Sequence, residues 1–364
     1  MKRLAIWKGL LMQKIKPLVY AIMIVLLQVC LLLTNGFAQS APITARELVE
    51  TSALNAHVEE LKNGRIVMLT RPEHESANQL NVLMAILVSA SLEKTVDTLQ
   101  RQATAKDGPG ILAIGEIKKT HTSELGKAFD GVTYTAGEKE EVENMMAIGA
   151  GKHFNYSRDE IALIKKYADS VKDNNKTGAE ATNAMSLAMR DVLKGRYLAY
   201  QKRGLEGLAP YQEGTSKQIH PSRELISATE SLDLVMARFP HYFECLRYYP
   251  RKKYAELVNQ FFWAKQMESG RPLFMLKHWV LDVRADHALI TERRFFLNHS
   301  LNSLQVVIGC LPHHDSTLVV LLNQAFTEKI DVPVGKSIAK KIGYHEVEKN
   351  IRPMFENLRT ALKL

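Results

Sequence analysis

Cysteine is scarce in this sequence, and long apolar runs are confined to its first 40 residues. Three cysteines in 364 residues exclude a small domain held together by several disulfides. Charged residues make up 24% and hydrophobic residues 46%, a composition that excludes disordered and collagen-like chains. No second long apolar run follows the first, and a span needs about 20 apolar residues, so we expect no membrane span in the remainder of the chain.

An excess of one charge is also missing once the first residues are set aside. The net charge is +9, but residues 1–38 carry five basic side chains and no acidic one, which leaves only +4 on the rest. A nearly neutral body has no general attraction to phosphate backbones. We therefore expect no nucleic-acid partner.

The first 38 residues have the pattern of a signal peptide. A basic segment ends at Lys16, the apolar run 18–33 follows, and the small residues Gly36 and Ala38 suit a signal peptidase. The sequence predicts cleavage after Ala38 and export to the periplasm or the medium. The alternative is an uncleaved N-terminal anchor, although a run of about 16 residues is short for the bilayer core.

The last third of the chain predicts an antiparallel β-meander. The segments 274–283, 289–297, 304–311 and 318–326 are rich in Val, Ile, Leu and aromatic residues, and short polar links join them. Apolar residues occur on both faces of these runs, so we expect the sheet to be covered at least partly on both sides.

Helical patterns surround this meander and predict an α+β class. We expect residues 39–364 to form a single mature domain, with a mainly helical segment at about 151–215 and further helices at 45–62 and 223–238. The C-terminal positions Val347, Ile351, Phe355, Leu358 and Leu362 recur at helical spacing and predict a long amphipathic helix. Pro353 within it predicts a kink or a restart.

Catalytic and cofactor motifs are not evident. There is no Gly-x-Ser-x-Gly elbow, no zinc-protease helix and no complete phosphate-binding loop, so we predict no cofactor and no bound metal. His313-His314-Asp315 is interpreted as a polar turn. An enzyme of unrecognised type remains an alternative, with His278 and Arg293 or Arg294 as its candidate polar groups.

Several segments resemble an uncharacterised family of exported bacterial proteins. The residues that carry this resemblance are Tyr200-x-x-Arg203-Gly204, Leu208-Ala209-x-Tyr211, Phe262-Trp263-x-Lys265, His278, His299 and Leu321-Leu322-Asn323. Gln324 and Glu328 stand where that family's pattern has Arg and Asp. The resemblance covers roughly residues 180–330, implies an exported protein, and implies no activity.

A second resemblance is to the START-like, or helix-grip, superfamily. Residues 87–96, from Leu87 to Val96, look like the strand of that fold that enters a short helix. The resemblance implies an apolar cavity between a curved sheet and the last helix.

Four residues on the first predicted meander strand are candidates for lining such a cavity. Met275, Trp279 and Leu281 share one face of this strand, and Lys277 points the same way. They predict binding of a hydrophobic small molecule or lipid, with Lys277 either anchoring an acidic head group or lying as an edge lysine with its charge in water. A structural or partner-binding protein with a filled core is the remaining alternative.

Cys245 and Cys310 are the two cysteines outside the predicted signal peptide. An oxidising compartment would permit a disulfide between them. The alternative is that each is a small buried hydrophobic side chain with a free thiol.

Overall fold

The structure is a computed structural model that describes residues 42–71, 76–104, 110–118, 124–149, 153–172 and 178–362. The predicted signal peptide lies outside these residues. The segment Pro42–Leu364 forms one compact unit of the chain.

A five-stranded antiparallel meander forms most of the central sheet. Its strands follow one another in sequence and in space: β6 Val258–Glu268, β7 Arg271–Val283, β8 Ala288–Leu297, β9 Ser303–His313 and β10 Ser316–Phe326. The last four confirm the predicted runs. Strand β6 was not predicted, because polar residues such as Asn259, Gln260 and Lys265 interrupt its apolar pattern.

Strands from the first third of the chain complete both edges of the sheet. The strands β1 Val67–Thr70 and β2 Gln79–Val88 extend it beyond β10, and β3 Ile111–Glu116 pairs with β6 at the opposite edge. The resulting eight-stranded order is β1-β2-β10-β9-β8-β7-β6-β3, antiparallel throughout. The link from β2 to β3 therefore crosses the width of five intervening strands.

Helices cover both faces of this sheet, which gives the predicted α+β class. The front face carries Val280, Leu289 and Leu318, and the back face carries Trp279, Leu281 and Val319. The helices that pack toward the front face are α1 Ala45–Glu50, α2 Val58–Lys62, α4 Lys139–Met146, α5 Arg158–Lys172, α6 Gly178–Arg203, α7 Pro221–Glu230, α8 Asp233–Arg238 and α9 Pro240–Tyr248. The back face is covered by α3 Leu92–Thr104 and α10 Lys336–Ala361. A small hairpin of β4 Tyr211–Glu213 and β5 Lys217–Ile219 lies apart from the main sheet.

The two helices predicted at 45–62 and 223–238 are each broken, so both predictions were too long. At Ser52 the backbone becomes extended, with φ −125° and ψ 173°, and the hydroxyl accepts a hydrogen bond from the Leu54 amide to start a 3₁₀ turn. In the second segment, Ser231 ends α7 and binds the Ala228 carbonyl. Polar side chains that compete for backbone groups favour helix ends over helix interiors.

The C-terminal helix α10 confirms the predicted amphipathic helix, and its apolar side is buried. Phe355 and Leu358 are fully buried in the back-face cluster, and Val347 and Ile351 pack against it. The helix runs through Pro353 without restarting. A long C-terminal helix against one face of an antiparallel sheet fits a helix-grip arrangement, which stays a prediction.

Candidate functional site

The four residues predicted to contact a ligand lie together on the back face of β7, and all are buried. Trp279 and Leu281 belong to the back-face apolar cluster, and Met275 belongs to a neighbouring cluster with Leu297. Within the described chain these side chains pack against other protein atoms. They line neither of two surface clefts, one beside α3 and a smaller one between α5 and α6.

Lys277 is buried and forms an ion pair with a carboxylate. It is therefore neither an edge lysine nor free to bind the head group of a ligand. Its Nζ lies 3.2 Å from Oε2 of Glu292, and Trp279 Nε1 donates to the same oxygen at 2.9 Å. Arg294 Nε donates to the other oxygen at 2.6 Å. Burial alone would raise the pKa of Glu292, but Lys277 and Arg294 lower it to about 2. The Glu292 carboxylate is therefore ionised. Burial also lowers the pKa of its partner Lys277, and the ion pair with Glu292 opposes that shift.

The row of back-face residues on β7 ends in a surface cleft. Val283 follows Leu281 by two residues, so its side chain lies on the same face, and it is 47% exposed. It lines a cleft of about 900 Å³ between α3, the β7–β8 turn and the β9–β10 turn. Leu92 and Val96 of α3 also line this cleft and belong to the same cluster as Trp279. The apolar floor of the cleft is thus continuous with the packed back face of the sheet.

The rim of the cleft is polar and carries more acidic than basic groups. Its ionisable side chains are Glu93, Asp97, Asp315, Arg284 and His314. Two of them have ion-pair partners outside the lining, since Asp97 lies 2.5 Å from Arg101 and Arg284 lies 2.6 Å from Asp282. Three carboxylates against one guanidinium disfavour an anionic group at this rim.

The turn at His313-His314-Asp315 forms one wall of the cleft. His314 adopts a left-handed backbone conformation with φ 53°, and its ring lies 4.6 Å from that of His313. Among the described residues, no group of three or more His, Cys, Asp or Glu side chains is placed to hold a metal ion. The turn thus contributes polar side chains to the rim.

A second polar arrangement crosses the front face of the sheet as a single row. The paired positions run from Asn81 on β2 to Gln324, Gln305, Arg293 and His278 on the four following strands. Each of these five residues is at most 1% exposed. We call this set the polar row. The sequence named His278 and Arg293, but it did not predict that pairing would align them with two glutamines.

Arg293 is the centre of the polar row and is completely buried. Its guanidinium donates to the Tyr200 hydroxyl at 3.1 Å, the Leu246 carbonyl at 3.0 Å, Thr229 Oγ1 at 2.9 Å and Gln305 Oε1 at 2.8 Å. These partners come from α6, α9, α7 and β9. Within the described chain they are all neutral oxygens, so the positive charge is solvated by dipoles instead of a carboxylate.

His278 extends the network from Arg293 to β6. The Tyr200 hydroxyl, which accepts from Arg293, lies 2.9 Å from His278 Nδ1, and His278 Nε2 lies 2.8 Å from Asn259 Oδ1. This pattern suits a neutral ring that accepts from Tyr200 and donates to Asn259. Burial raises the pKa of Tyr200, which keeps its proton on the hydroxyl.

The polar row is sealed from solvent, which bears on the enzyme alternative. Neither cleft is lined by His278, Arg293 or Tyr200. Arg294, the other candidate, lies on the back face with Glu292. The arrangement ties three front-face helices to the sheet, and in the described chain its imidazole and guanidinium are fully buried.

Cys245 and Cys310 are both free thiols in the structure, which has no disulfide between them. Both are buried, but Cys245 lies in the front-face cluster and Cys310 in the back-face cluster. The sheet separates them, whereas a disulfide requires Cα atoms within about 7 Å. Burial raises the pKa of both thiols, that of Cys310 to about 12.

A third polar cluster, which the sequence did not predict, lies where β2 and β9 begin. Asn78 and Asn302 each donate through Nδ2 to Glu224 and to Glu328, over distances of 2.8 to 3.2 Å. Ser303 donates to the other oxygen of Glu224 at 2.7 Å. Burial raises the pKa of Glu224 to about 7, although these hydrogen bonds oppose the shift. These residues lie far apart in sequence, so only the fold reveals the cluster.

Comparison of the chain with protein-family models, with curated proteins and with solved structures gave no match. The two family resemblances therefore stay predictions.

Proposed function

We propose that this protein is an exported binding protein that holds a hydrophobic or amphiphilic small molecule, such as a lipid, in the cleft beside α3. The observation that carries the proposal is the continuity of the cleft floor with the back-face cluster. Leu92 and Val96 belong to both, and Val283 ends the β7 row inside the cleft. A ligand there would remove apolar surface from water, a gain of about 25 cal/mol for each Å².

The size and charge of the cleft favour one class of ligand. Its volume of about 900 Å³ lies within the range of roughly 300–1,000 Å³ typical of small-molecule sites. An alkyl or ring portion would contact the apolar floor. The acidic rim favours a neutral or cationic head group, in place of the acidic head group that a free Lys277 would have anchored.

Export is part of the proposal and depends on the sequence features of residues 1–38. None of the described helices has the length and apolar character needed to span a bilayer. Processed protein recovered from the exported fraction, starting at Gln39, would support this part, whereas an intact N-terminus there would favour the anchor alternative.

The binding proposal is tested by titration with environment-sensitive alkyl probes of equal chain length. Three dansyl-labelled probes would carry a neutral amide, an ammonium or a carboxylate head group. We expect saturable fluorescence enhancement with the neutral and cationic probes and weaker binding of the carboxylate probe. No saturable binding of any probe to folded protein would refute the proposal.

A matched pair of variants locates the binding site. Val283→Glu places a charge on the cleft floor at a position that is already 47% exposed, and we expect roughly tenfold weaker binding. Val258→Glu is the control, because Val258 is the first residue of β6, is 51% exposed and lies outside the cleft. Equal affinities of the two variants would place the binding elsewhere.

A further inference from the structure

The first half of α10 and the segment just before it carry the three most exposed large hydrophobic side chains in the described chain. Val334, just before the helix, is 88% exposed, and Ile338 and Ile342 are 66% and 60% exposed. Residues spaced by four lie on one side of a helix, so Ile338 and Ile342 lie about 6 Å apart along one side of α10, and Val334 precedes the helix at its N-terminal end. We call these three exposed residues the apolar stripe.

Basic residues lie along the same side of the helix. Lys341, His345 and Lys349 are exposed and fall at helical spacing from Ile338 and Ile342. Lys336 at the start of the helix pairs with Asp331 at 2.8 Å, and Glu346, four residues after Ile342, is exposed on the same side, so Lys341 and Lys349 leave a net positive charge there. The stripe therefore combines exposed apolar side chains with positive charge.

The opposite side of the same helix is already occupied. Val347, Ile351 and Leu358 pack on the back face of the sheet, and Gly343 lets the helix approach closely, since a Cβ there would lie 2.7 Å from Leu80 Cδ1. The apolar stripe thus points away from the core and cannot be buried by the packing that holds α10.

We propose that the apolar stripe docks the protein on the surface of an anionic phospholipid bilayer. Isoleucine side chains would enter the boundary between head groups and acyl chains, and the two lysines would contact anionic head groups. A second copy of this chain is a poorer occupant, because a symmetric contact of this stripe with itself would bring its lysines together. The docking surface is distinct from the proposed ligand cleft and does not depend on it.

The test is co-sedimentation with vesicles of phosphatidylcholine alone or of phosphatidylcholine mixed with phosphatidylglycerol. The full chain and the unit Pro42–Leu364 are each measured, and variants are compared within one length so that the apolar leader does not affect the comparison. We expect binding to the anionic vesicles, weaker binding at high salt, and little binding to phosphatidylcholine alone.

Two double variants separate the apolar and the charged contributions. Ile338→Ser with Ile342→Ser should weaken vesicle binding at least tenfold, and Lys341→Gln with Lys349→Gln should weaken it roughly thirtyfold, since each lysine near the surface is worth about 1 kcal/mol. The controls are Leu234→Ser with Met236→Ser on α8, and Lys165→Gln with Lys166→Gln on α5, all at exposed positions. Both control pairs should bind vesicles as the unmodified chain does.

Several outcomes would overturn this proposal. They are no binding of folded protein to anionic vesicles, equal binding to both vesicle types, or stripe variants that bind as well as the controls. A change of oligomeric state in the Ile338→Ser, Ile342→Ser variant would identify a second copy as the occupant instead. Val283→Glu should leave vesicle binding unchanged, and the stripe variants should leave probe binding in solution unchanged, so this proposal and the ligand proposal fail separately.

Discussion

Arg293 shows how one residue can join several elements of this fold. A buried guanidinium has five N–H groups, and the five hydrogen bonds it donates within the described chain reach one strand and three helices. Because no carboxylate accompanies it there, the neighbouring dipoles must stay in place for the charge to remain solvated. The residue therefore favours one fixed arrangement of α6, α7 and α9 over the sheet.

Replacing Arg293 should therefore affect stability strongly. Arg293→Met removes the guanidinium bonds to Thr229 and Leu246 and leaves Gln305 Oε1 with only the Thr229 hydroxyl as a donor, and unsatisfied buried groups cost about 1–3 kcal/mol each. We expect the free energy of unfolding to fall by about 3 kcal/mol or more, measured by chemical denaturation. Arg251→Met, at an exposed ion pair, is the control and should cost less than about 1 kcal/mol. A loss below about 1 kcal/mol for Arg293→Met would contradict the structural role given to the polar row.

Glu224 should make the free energy of unfolding decrease as the pH rises. Its pKa is raised from an ordinary value of 4.5 to about 7 in the folded protein. The folded state therefore holds this proton more tightly, so the contribution to stability is full below pH 4.5 and is lost as the pH rises through 7. The size of the loss is on the order of 3 kcal/mol.

The contribution of Glu224 is isolated by comparison with Glu224→Gln. The stability of the unmodified chain relative to this variant should decrease between pH 4.5 and pH 7. Glu230→Gln on the same helix is the control, since Glu230 is exposed at an ion pair with Arg247. A difference that stays flat or increases with pH would show that Glu224 is not protonated in the folded protein at neutral pH.

At the scale of elements, a glycine on β3 lets the Trp263 indole of β6 pack closely against the edge of the sheet. Gly115 pairs with Trp263 on β6, and a Cβ added there would lie 2.4 Å from Trp263 Nε1. The indole also covers Gly131, and its Nε1 donates to the Ala128 carbonyl at 2.7 Å. Trp263 thus holds a loop and an edge strand together across two glycines.

Gly115→Ala should consequently destabilise the protein, because the rigid indole has nowhere to move. We expect a loss of about 2 kcal/mol, within the range for overpacked cores, measured by thermal or chemical unfolding. Gly126→Ala is the control, since a Cβ at Gly126 meets no atom within 4 Å. Equal stability of the two variants would mean that Trp263 can shift without cost.

The elements differ in how far the sequence could predict them. Strands β7 to β10 and the buried face of α10 were predictable, because segments rich in apolar residues and helical spacing are local signals. Strand β6 was not, since its polar residues Asn259 and Lys265 find buried partners that lie far away in sequence. The helix breaks depend on single serines whose capping role appears only in the structure.

The candidate site was less predictable than the fold for a physical reason. The face shared by Met275, Lys277, Trp279 and Leu281 follows from alternation along one strand and was found. The partner Glu292, the polar row and the cleft require the pairing register and the turns of several strands, which no local pattern contains. A single polar residue within an apolar run, such as Gln305 or Gln324, was the available signal for the polar row.

At the scale of the whole molecule, the two faces of the sheet have different character. The front face is closed by eight helices of the described chain and by a hydrogen-bonded row in its interior. The back face is covered by α3 and α10 and opens at one end into the cleft. The proposed ligand cleft therefore lies at the back face, and the front face is the more fully covered of the two.

The most direct test of ligand binding in the cleft is photochemical labelling with a neutral alkyl diazirine probe, followed by mapping of the labelled peptides. We expect saturable labelling, removed by excess unlabelled amphiphile, within residues 92–97, 283–285 and 312–316, which form the three walls of the cleft. Labelling that is not saturable, or that concentrates on residues 334–342 of the apolar stripe, would contradict ligand binding in the cleft.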